Sequence, residues 1–430
     1  MRRLDAVQPD ISIELDGVPL PACNGENAAC AVLAAGETVF SRSIKYHRPR
    51  GPWCLTGACA QCLMRVDGVP NIPVCQTTAH PGMRLERQNA FPSAAVDVFN
   101  ATDWLFPRGL NHHEMFAGVP VAEQVMAKVA RQLAGLGTLP DAPAPLREGA
   151  EVVRCEKVII GAGAAGLAAA QHLEVAQAPY LLIEREGFVG GRLVVAPEEF
   201  GAPALWTPPV ERIRLRTTAI GLFEDELGRF LACTDGQRLT KLYGASLLFA
   251  TGGQPQLVPF ENNDLPGIFA GRAVSRMIRV HRLLPGETIA VVGESVEAKA
   301  LAKLIESTGG KAVAVGASPV KARGMSSVSS ITATLDGKES RYDCDAVAVC
   351  APLAPSFELA RQGGVHVHWR ERERIFAAEA DADGRTAQPT IFVAGELKGP
   401  MGAAAAAETG RRAAQAMSGI ARTDPREPGS

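Results

Sequence analysis

Val158-Ile-Ile-Gly161-Ala-Gly163-Ala-Ala-Gly166-Leu-Ala-Ala-Ala170 runs from an apolar strand, through three spaced glycines, into the start of a helix. This G-x-G-x-x-G spacing is that of a dinucleotide turn. Gly161 permits the tight turn, Gly163 lets a pyrophosphate touch the backbone, and Gly166 lets helix and strand pack closely. With Ala164 and Ala165 the glycines form the expected cradle, and the helix N-terminus faces the phosphates. The next strand, Tyr180-Leu-Leu-Ile183, ends at Glu184, 23 residues after Gly161, with Arg185 beside it. That places a carboxylate where a ribose diol needs an acceptor. Gly190-Gly191-Arg192 adds a second close backbone approach and a cation for phosphate. A glycine turn without ligand is the alternative, and the full context favours a cofactor. The fingerprint accepts any ADP moiety, so FAD, NAD and ATP all remain open here.

Two segments extend the pattern. Leu247-Leu-Phe-Ala-Thr251-Gly252-Gly253 is a strand running into a glycine turn, and so is Thr390-Ile-Phe-Val-Ala-Gly395-Glu396, with a small-residue helix, 402–417, behind it. The arrangement resembles two-domain flavoproteins of the disulfide-reductase type. There such segments return the chain to the flavin, and an acid after the last glycine, usually Asp, binds the ribityl chain. Glu396 is one methylene longer. A second unit starts at Thr288-Ile-Ala-Val-Val-Gly293-Glu-Ser295-Val-Glu-Ala298, where Ser295 and Ala298 replace the second and third glycines. Its second strand, Lys311–Gly316, ends without an acid. Lys321 and Arg323 are candidates for a phosphate, with plain surface charge as the blander role. We read this unit as structural, with a working nicotinamide site as the other reading.

Four of the ten cysteines fall within 22 residues: Cys54-x4-Cys59-x2-Cys62, then Cys75 after twelve more. Three thiolates at that spacing wrap one edge of a [2Fe–2S] cluster, and the fourth closes it. Gly57 and Ala58 are small, so the loop backbone can approach the inorganic sulfides. A zinc site usually pairs two C-x2-C knuckles, and only one is present. A Cys59–Cys62 redox dithiol lacks its surrounding βαβ pattern. Cys23, Cys30, Cys155, Cys233, Cys344 and Cys350 are scattered and read as small core residues.

The 430 residues suggest two or three domains. Hydrophobic residues make up 47%, charged residues 21%, and the formal net charge is -2, which offers no electrostatic case for nucleic acid. The longest apolar stretch, Val158–Ala170, is too short for a membrane span, and the N-terminus lacks the apolar core of a secretory signal. A cytoplasmic protein with reduced thiols is therefore expected. The fold class is α/β. A small α+β ferredoxin-like [2Fe–2S] domain covers 10–100, with hairpin turns at Asp16-Gly17 and Asp67-Gly68 and a helix over Asn27–Ala35. A helical connector and proline-rich linker follow over 101–150, with Val121–Leu136 at helical spacing. A FAD-type dinucleotide domain takes 151–272 and 385–420, a degenerate NAD-type Rossmann domain takes 273–384, and 421–430 is a disordered tail.

Several further stretches carry a resemblance. Ser41-Arg-Ser-Ile-Lys-Tyr-His-Arg-Pro-Arg-Gly51, Gln88-Asn-Ala-Phe-Pro-Ser93, Ala134-Gly-Leu-Gly137, Phe260-Glu-Asn-Asn-Asp-Leu-Pro-Gly267, Cys344-Asp-Ala-Val-Ala-Val349 and Gln362-Gly-Gly364 look like sarcosine oxidase α subunits. The resemblance spans about residues 10 to 418. Long α chains of that family lack the cluster cysteines and carry a C-terminal folate-binding domain. This chain keeps the cysteines and stops earlier. In that it is similar to the A and B components of hydrogen cyanide synthase, fused, and to the α and γ parts of opine oxidases and hydroxyproline dehydrogenases. Those α-type chains often end in a cysteine-rich extension, which is not found here.

The resemblance implies a division of labour. An oxidase-like FAD-dependent β subunit oxidises an amine, and this chain, carrying FAD and the cluster, takes the electrons onward. Resemblance alone also admits an FMN at the subunit interface. No side chain stands out as a general acid or base, there is no G-x-S-x-G, H-E-x-x-H or P-loop, and no catalytic residue is assigned. The basic run Arg42, Lys45, His47, Arg48, Arg50 is read as gripping a flavin phosphate or as solvated and bridging domains. His112-His113 lacks further ligands for a metal. Two other classes compete with the electron-transfer role. One is a self-sufficient NAD(P)H:acceptor reductase, the other a nucleotide-binding assembly scaffold.

Overall fold

The computed structural model describes residues 1–4, 8–44, 46–90, 92–101, 139–142, 149–195, 202–335 and 337–419. The expected helix over 121–136, His112-His113 and the tail 421–430 lie outside them. The chain divides into two compact units, one of Met1–Ala144 with Leu257–Ala351, the other of Pro145–Gln256 with Pro352–Ser430. The sequence reading drew the crossings at 272/273 and 384/385, and gave 10–100 a domain of its own.

Two larger sheets of the first unit share one core. A five-stranded sheet has the order Val18–Ala22, Ile11–Leu15, Arg84–Glu86, Leu63–Val66, Val69–Pro73. Its hairpins turn on Asp16-Gly17 and Asp67-Gly68, with φ of 51° and 82°, and 47° and 79°. Such turns match the twist of the flanking strands. Along Ile11–Leu15 the side chains alternate, so that Ile13 and Leu15 are buried while Ser12 and Glu14 face out. Helix Ala28–Ala34 is made of small apolar residues and is buried from Ala28 to Leu33. The second sheet is parallel, in the order Ile268–Ala270, Ala346–Val349, Thr288–Val292, Lys311–Gly316. Helices Gly271–Arg279 and Val296–Ser307 follow two of its strands. One continuous core runs from Ile13, Leu33 and Leu85 to Phe269, Met277, Ile289 and Val347.

In the second unit the strand Glu151–Ile160 lies between Leu181–Ile183 and Leu239–Phe249, parallel to both. Ile391–Val393 joins the far side of Leu239–Phe249, also parallel. Alternation decides which side each residue serves. Ile159, Leu248 and Phe392 enter one core, while Val158, Ile160, Phe249 and Val393 enter the other. A parallel sheet covered on both faces needs such continuous apolar runs. Helix Ala164–Val175 packs on helix Ala403–Ser418. A Cβ on Gly410 would run into the carbonyl of Ala165, so this crossing depends on a missing side chain. No helix among the described residues is long and apolar enough to cross a membrane.

Candidate functional site

The first site is the cysteine loop. Cys54, Cys62 and Cys75 are buried and Cys59 is partly exposed, all as free thiols. They fall into two hydrogen-bonded pairs, Cys54 with Cys59 and Cys62 with Cys75. Among the described residues no three His, Cys, Asp or Glu side chains converge on a single metal ion. Two pairs suit two irons with two terminal thiolates each, the donor set of a [2Fe–2S] cluster.

The loop also aims backbone at its sulfurs. Thr56 N donates to Cys54 Sγ at 3.3 Å, Ala58 N donates to the same sulfur, and Gly57 N to Cys75. Such donors favour thiolates. Hydrogen bonding from Cys59 pulls the Cys54 thiol down to about 5, against burial. Cys59 and Cys62 are pushed up, each by its partner sulfur and then by burial. Leu55 and Ala60 hold φ of 53° and 52°, the reversals that turn the chain around the sulfurs.

Three residues missed by the sequence reading brace this loop. Asn27 Nδ2 donates to the Cys75 carbonyl at 2.7 Å, and Gln76 Nε2 does so at 2.9 Å. Arg276, from the second sheet's first helix, donates through Nη1 to the Leu55 carbonyl at 3.3 Å. No sequence spacing announces a contact between positions 55 and 276. Within this unit, two members of the basic run tie the short ribbon of Ser41–Arg42 with Pro49–Arg50 to the turn that precedes Ile268–Ala270. Arg48 and Arg50 both reach Asp264, at 3.2 and 3.1 Å, and Arg48 donates to Asn262 at 2.9 Å. Arg42 instead donates to the carbonyls of Ala94 and His47, and His47 is buried against Asp97 at 2.8 Å.

The second site is the glycine turn of the other unit. A Cβ on Gly161 would lie 2.5 Å from the Ala250 carbonyl oxygen, and one on Gly166 would strike the Gly161 carbonyl. A Cβ on Gly163 would meet no protein atom within 4 Å. Gly163 is the N-cap of helix Ala164–Val175, with no capping side chain and no acid in the first turn. Its open side is a cradle at uncapped N–H groups, the setting a pyrophosphate requires. A Cβ on Gly191 would come within 3.4 Å of Gly163 Cα, so the second glycine approach flanks the same opening.

Glu184 ends its strand as expected. Its Oε2 accepts from Ala162 N at 2.7 Å and its Oε1 from Glu186 N at 2.8 Å. Burial pushes its carboxyl up, and those two N–H groups pull it back. Arg185 is exposed. Arg192 Nη1 donates to Glu396 Oε1 at 2.6 Å and to the Met401 carbonyl at 2.7 Å. A Cβ on Gly252 would lie 4.0 Å from Glu396 Oε2, so both chain returns meet the turn's neighbourhood. Gly395 N donates to Thr409 Oγ1 at 2.8 Å, and Thr251 Oγ1 donates to the Ser356 carbonyl at 2.8 Å.

The second Rossmann-like turn is differently made. Ser295 caps its own helix, accepting from Ala298 N at 3.1 Å. Glu297 stands in the first turn and is paired with Arg272 at 2.8 Å. Lys321 pairs with Glu261 on a meander of three strands, Pro319–Gly324, Val328–Leu335 and Lys338–Asp343.

Comparison with known proteins finds relatives of both the cysteine loop and the glycine turn. Residues 8–90 match the family model of the 2Fe-2S iron-sulfur cluster binding domain, and 156–317 that of pyridine nucleotide-disulphide oxidoreductases. The alpha subunit of sarcosine oxidase from Rhizobium meliloti is 26% identical over 455 residues, which covers 95% of this chain and 46% of that protein. Hydrogen cyanide synthase subunit HcnA of Pseudomonas aeruginosa is 33% identical over 93 residues, 21% of this chain and 88% of that one. An opine oxidase subunit from Agrobacterium tumefaciens is 41% identical over 64 residues, 15% of this chain and 13% of that one. The crystal structure of L-proline dehydrogenase from P. horikoshii superposes with a TM-score of 0.72 at 22% identity, covering 96% of this chain and 74% of that one. The chain spans less than half the length of the sarcosine oxidase subunits it matches.

Proposed function

Because the chain belongs to the family that includes sarcosine oxidase α subunits, hydrogen cyanide synthase subunit HcnA and opine oxidase subunits, we propose that it is the electron-transfer subunit of a heteromeric amine dehydrogenase. Its cofactors are one [2Fe–2S] cluster and one FAD. An oxidase-like β subunit takes a hydride, two electrons and a proton, from the C–H of a sarcosine-, imino-acid- or opine-type amine, leaving an iminium that becomes the imine by releasing its N–H proton to water. When bound, FAD accepts electrons in pairs and the cluster releases them singly, to a one-electron acceptor.

The protein's residues bind and orient. Cys54, Cys59, Cys62 and Cys75 hold the two irons in two pairs. Gly161, Gly163, Ala164, Ala165 and Gly166 present helix N–H groups to the pyrophosphate, and Glu184 faces the ribose from the neighbouring strand end. Gly191, Arg192, Thr251, Gly252, Gly395 and Glu396 line the flavin side, with Arg192 anchored by Glu396. Arg185 stays at the solvent edge of the ribose. The observation that carries this reading is the coexistence, in one chain, of a paired four-thiol loop and an open glycine cradle. The self-capped helix at Ser295 argues against a self-sufficient NAD(P)H reductase.

The test is co-expression and pull-down with a neighbouring oxidase-like gene product, followed by dye reduction with N-alkyl amino acids, opines and prolines. Turnover is expected only with the partner present. Robust turnover of any such amine by the isolated chain refutes the division of labour.

A further inference from the structure

We infer that Arg276 is a positioning residue of the iron–sulfur site: it fixes the Leu55 carbonyl and sets a buried positive charge against the cysteine loop, raising the cluster's reduction potential. The inference rests on the cluster reading above.

Arg276 is only 5% exposed. A guanidinium keeps its proton in a protein, and a buried charge is costly unless it is paired or hydrogen-bonded. One of its Nη1 bonds goes to the carbonyl of Leu55, the residue after Cys54. Leu55 is 1% exposed and holds φ at +53°. A leucine in that region is strained and persists only where its surroundings over-determine it. Both neighbours of Cys54 are tied to the same junction of the second sheet. Ala270 N donates to the Trp53 carbonyl at 3.0 Å, and Arg276 takes Leu55 one helical stretch later. The reversal at Leu55 is also what brings Thr56 N to Cys54 Sγ at 3.3 Å. The charge reaches deeper into the site, because Arg276 and Cys75 both act electrostatically on the buried Cys30 thiol, from opposite signs.

A reduced cluster carries one more negative charge than an oxidised one. A fixed buried cation favours the reduced form, and the low dielectric of the packed core strengthens the effect. The helix Gly271–Arg279 belongs to the sheet with the eroded nucleotide turn. That Rossmann-like half thus serves as the mount of the cluster, with Arg276 as its electrical contact.

The test uses the full chain, purified with its cofactors and assayed for iron, sulfide and flavin. Redox titration followed by visible absorbance and EPR then compares wild type, Arg276→Gln and Arg276→Lys. Arg276→Gln is expected to titrate at a more negative potential with an altered EPR line shape and unchanged flavin content. Arg276→Lys keeps the charge and loses the guanidinium fork, so its potential stays near wild type while iron leaves faster to a chelator. If Arg276→Gln loses its cluster but keeps its flavin, the positioning role is supported, and the Lys variant decides the charge: a potential well below wild type there overturns it. A wild-type chain with a cluster, and a Gln variant with unaltered potential and spectrum, overturns this inference alone. A wild-type chain without iron and sulfide overturns the cluster reading itself, and this inference with it.

Discussion

Asn27 joins a helix start to a cluster cysteine: its Oδ1 accepts from Cys30 N at 3.2 Å while its Nδ2 donates to the Cys75 carbonyl at 2.7 Å. Asn27→Ala removes both bonds. The lost cap costs about 1 kcal/mol. The lost carbonyl partner costs roughly another 1 kcal/mol, softened by Gln76, which still donates there. Asn27→Asp keeps the cap and loses the donor. Urea unfolding should therefore rank wild type above Asp above Ala, and iron release to a chelator should rank in the reverse order. Equal release from all three would show that Asn27 does not brace Cys75.

Gly163 and Gly166 separate binding from folding. A side chain at Gly163 meets open space, whereas one at Gly166 strikes the Gly161 carbonyl. Gly163→Val should fold, keep the cluster and lose FAD affinity by about a hundredfold, or about 2.7 kcal/mol. Gly166→Val should fail to fold its unit, because helix Ala164–Val175 cannot pack that closely. Flavin content, iron content and circular dichroism of the two variants check both outcomes. Full flavin occupancy in Gly163→Val would place the cofactor elsewhere.

The parts legible in the sequence were those set by local geometry. Both Asp-Gly hairpins, the strand Val158–Ile160 with its glycine turn, and the strand ending at Glu184 follow from rules acting over a few residues. So does the four-cysteine spacing. What escaped depends on distant pairing. The strand Leu239–Phe249 is longer than the apolar run Leu247–Phe249, because its polar half pairs with Gly228–Thr234 in a meander. Ser295 looked like an eroded glycine, and its role as a cap emerges only from the helix it opens. No motif in the sequence singles out Arg276, whose partner Leu55 lies more than two hundred positions away. The basic run gave composition without partners, and Asp264 supplied them from more than two hundred positions away.

Cys54 and Cys59 should titrate as a pair that keeps one thiolate at neutral pH. The Cys59 thiol and the N–H groups of Thr56 and Ala58 hold Cys54 down to about 5, while the same bond pushes Cys59 up. A depressed value means the thiolate is present above about pH 5 and is lost as pH falls through it. The ultraviolet thiolate absorbance of the metal-free chain should thus survive to mildly acid pH, and Cys54→Ser should abolish the part that belongs to this pair. Iron uptake at pH 6 should slow sharply in the same variant. A wild-type band that vanishes below pH 8 contradicts the pairing.

Cys59→Ser tests the cluster itself. Loss of one terminal thiolate from an exposed edge of the loop should remove the visible iron–sulfur absorbance, with flavin content unchanged because the glycine cradle lies in the other unit. Zinc in place of iron by elemental analysis of the wild type would refute the [2Fe–2S] assignment.

Nicotinamide nucleotides should not reduce this chain's flavin rapidly. A dinucleotide needs free N–H groups at the helix start, and in the second Rossmann-like turn Ser295 already takes that of Ala298. Glu297 adds a carboxylate to the same first turn, where a phosphate would be repelled, and Arg272 is committed to it by two hydrogen bonds, at 2.8 and 3.3 Å. The turn at Gly161–Gly166 has neither a side-chain cap nor an acid, and of these two turns it is the one open to phosphate. Stopped-flow mixing with NADH and with NADPH should leave the flavin spectrum unchanged over seconds. Ser295→Ala should lower stability by about 1 kcal/mol without creating reduction, since the acid in the first turn remains. Fast bleaching by either nucleotide would mean that the cap yields to the ligand, and that electrons enter this chain from a nicotinamide rather than from a partner's amine.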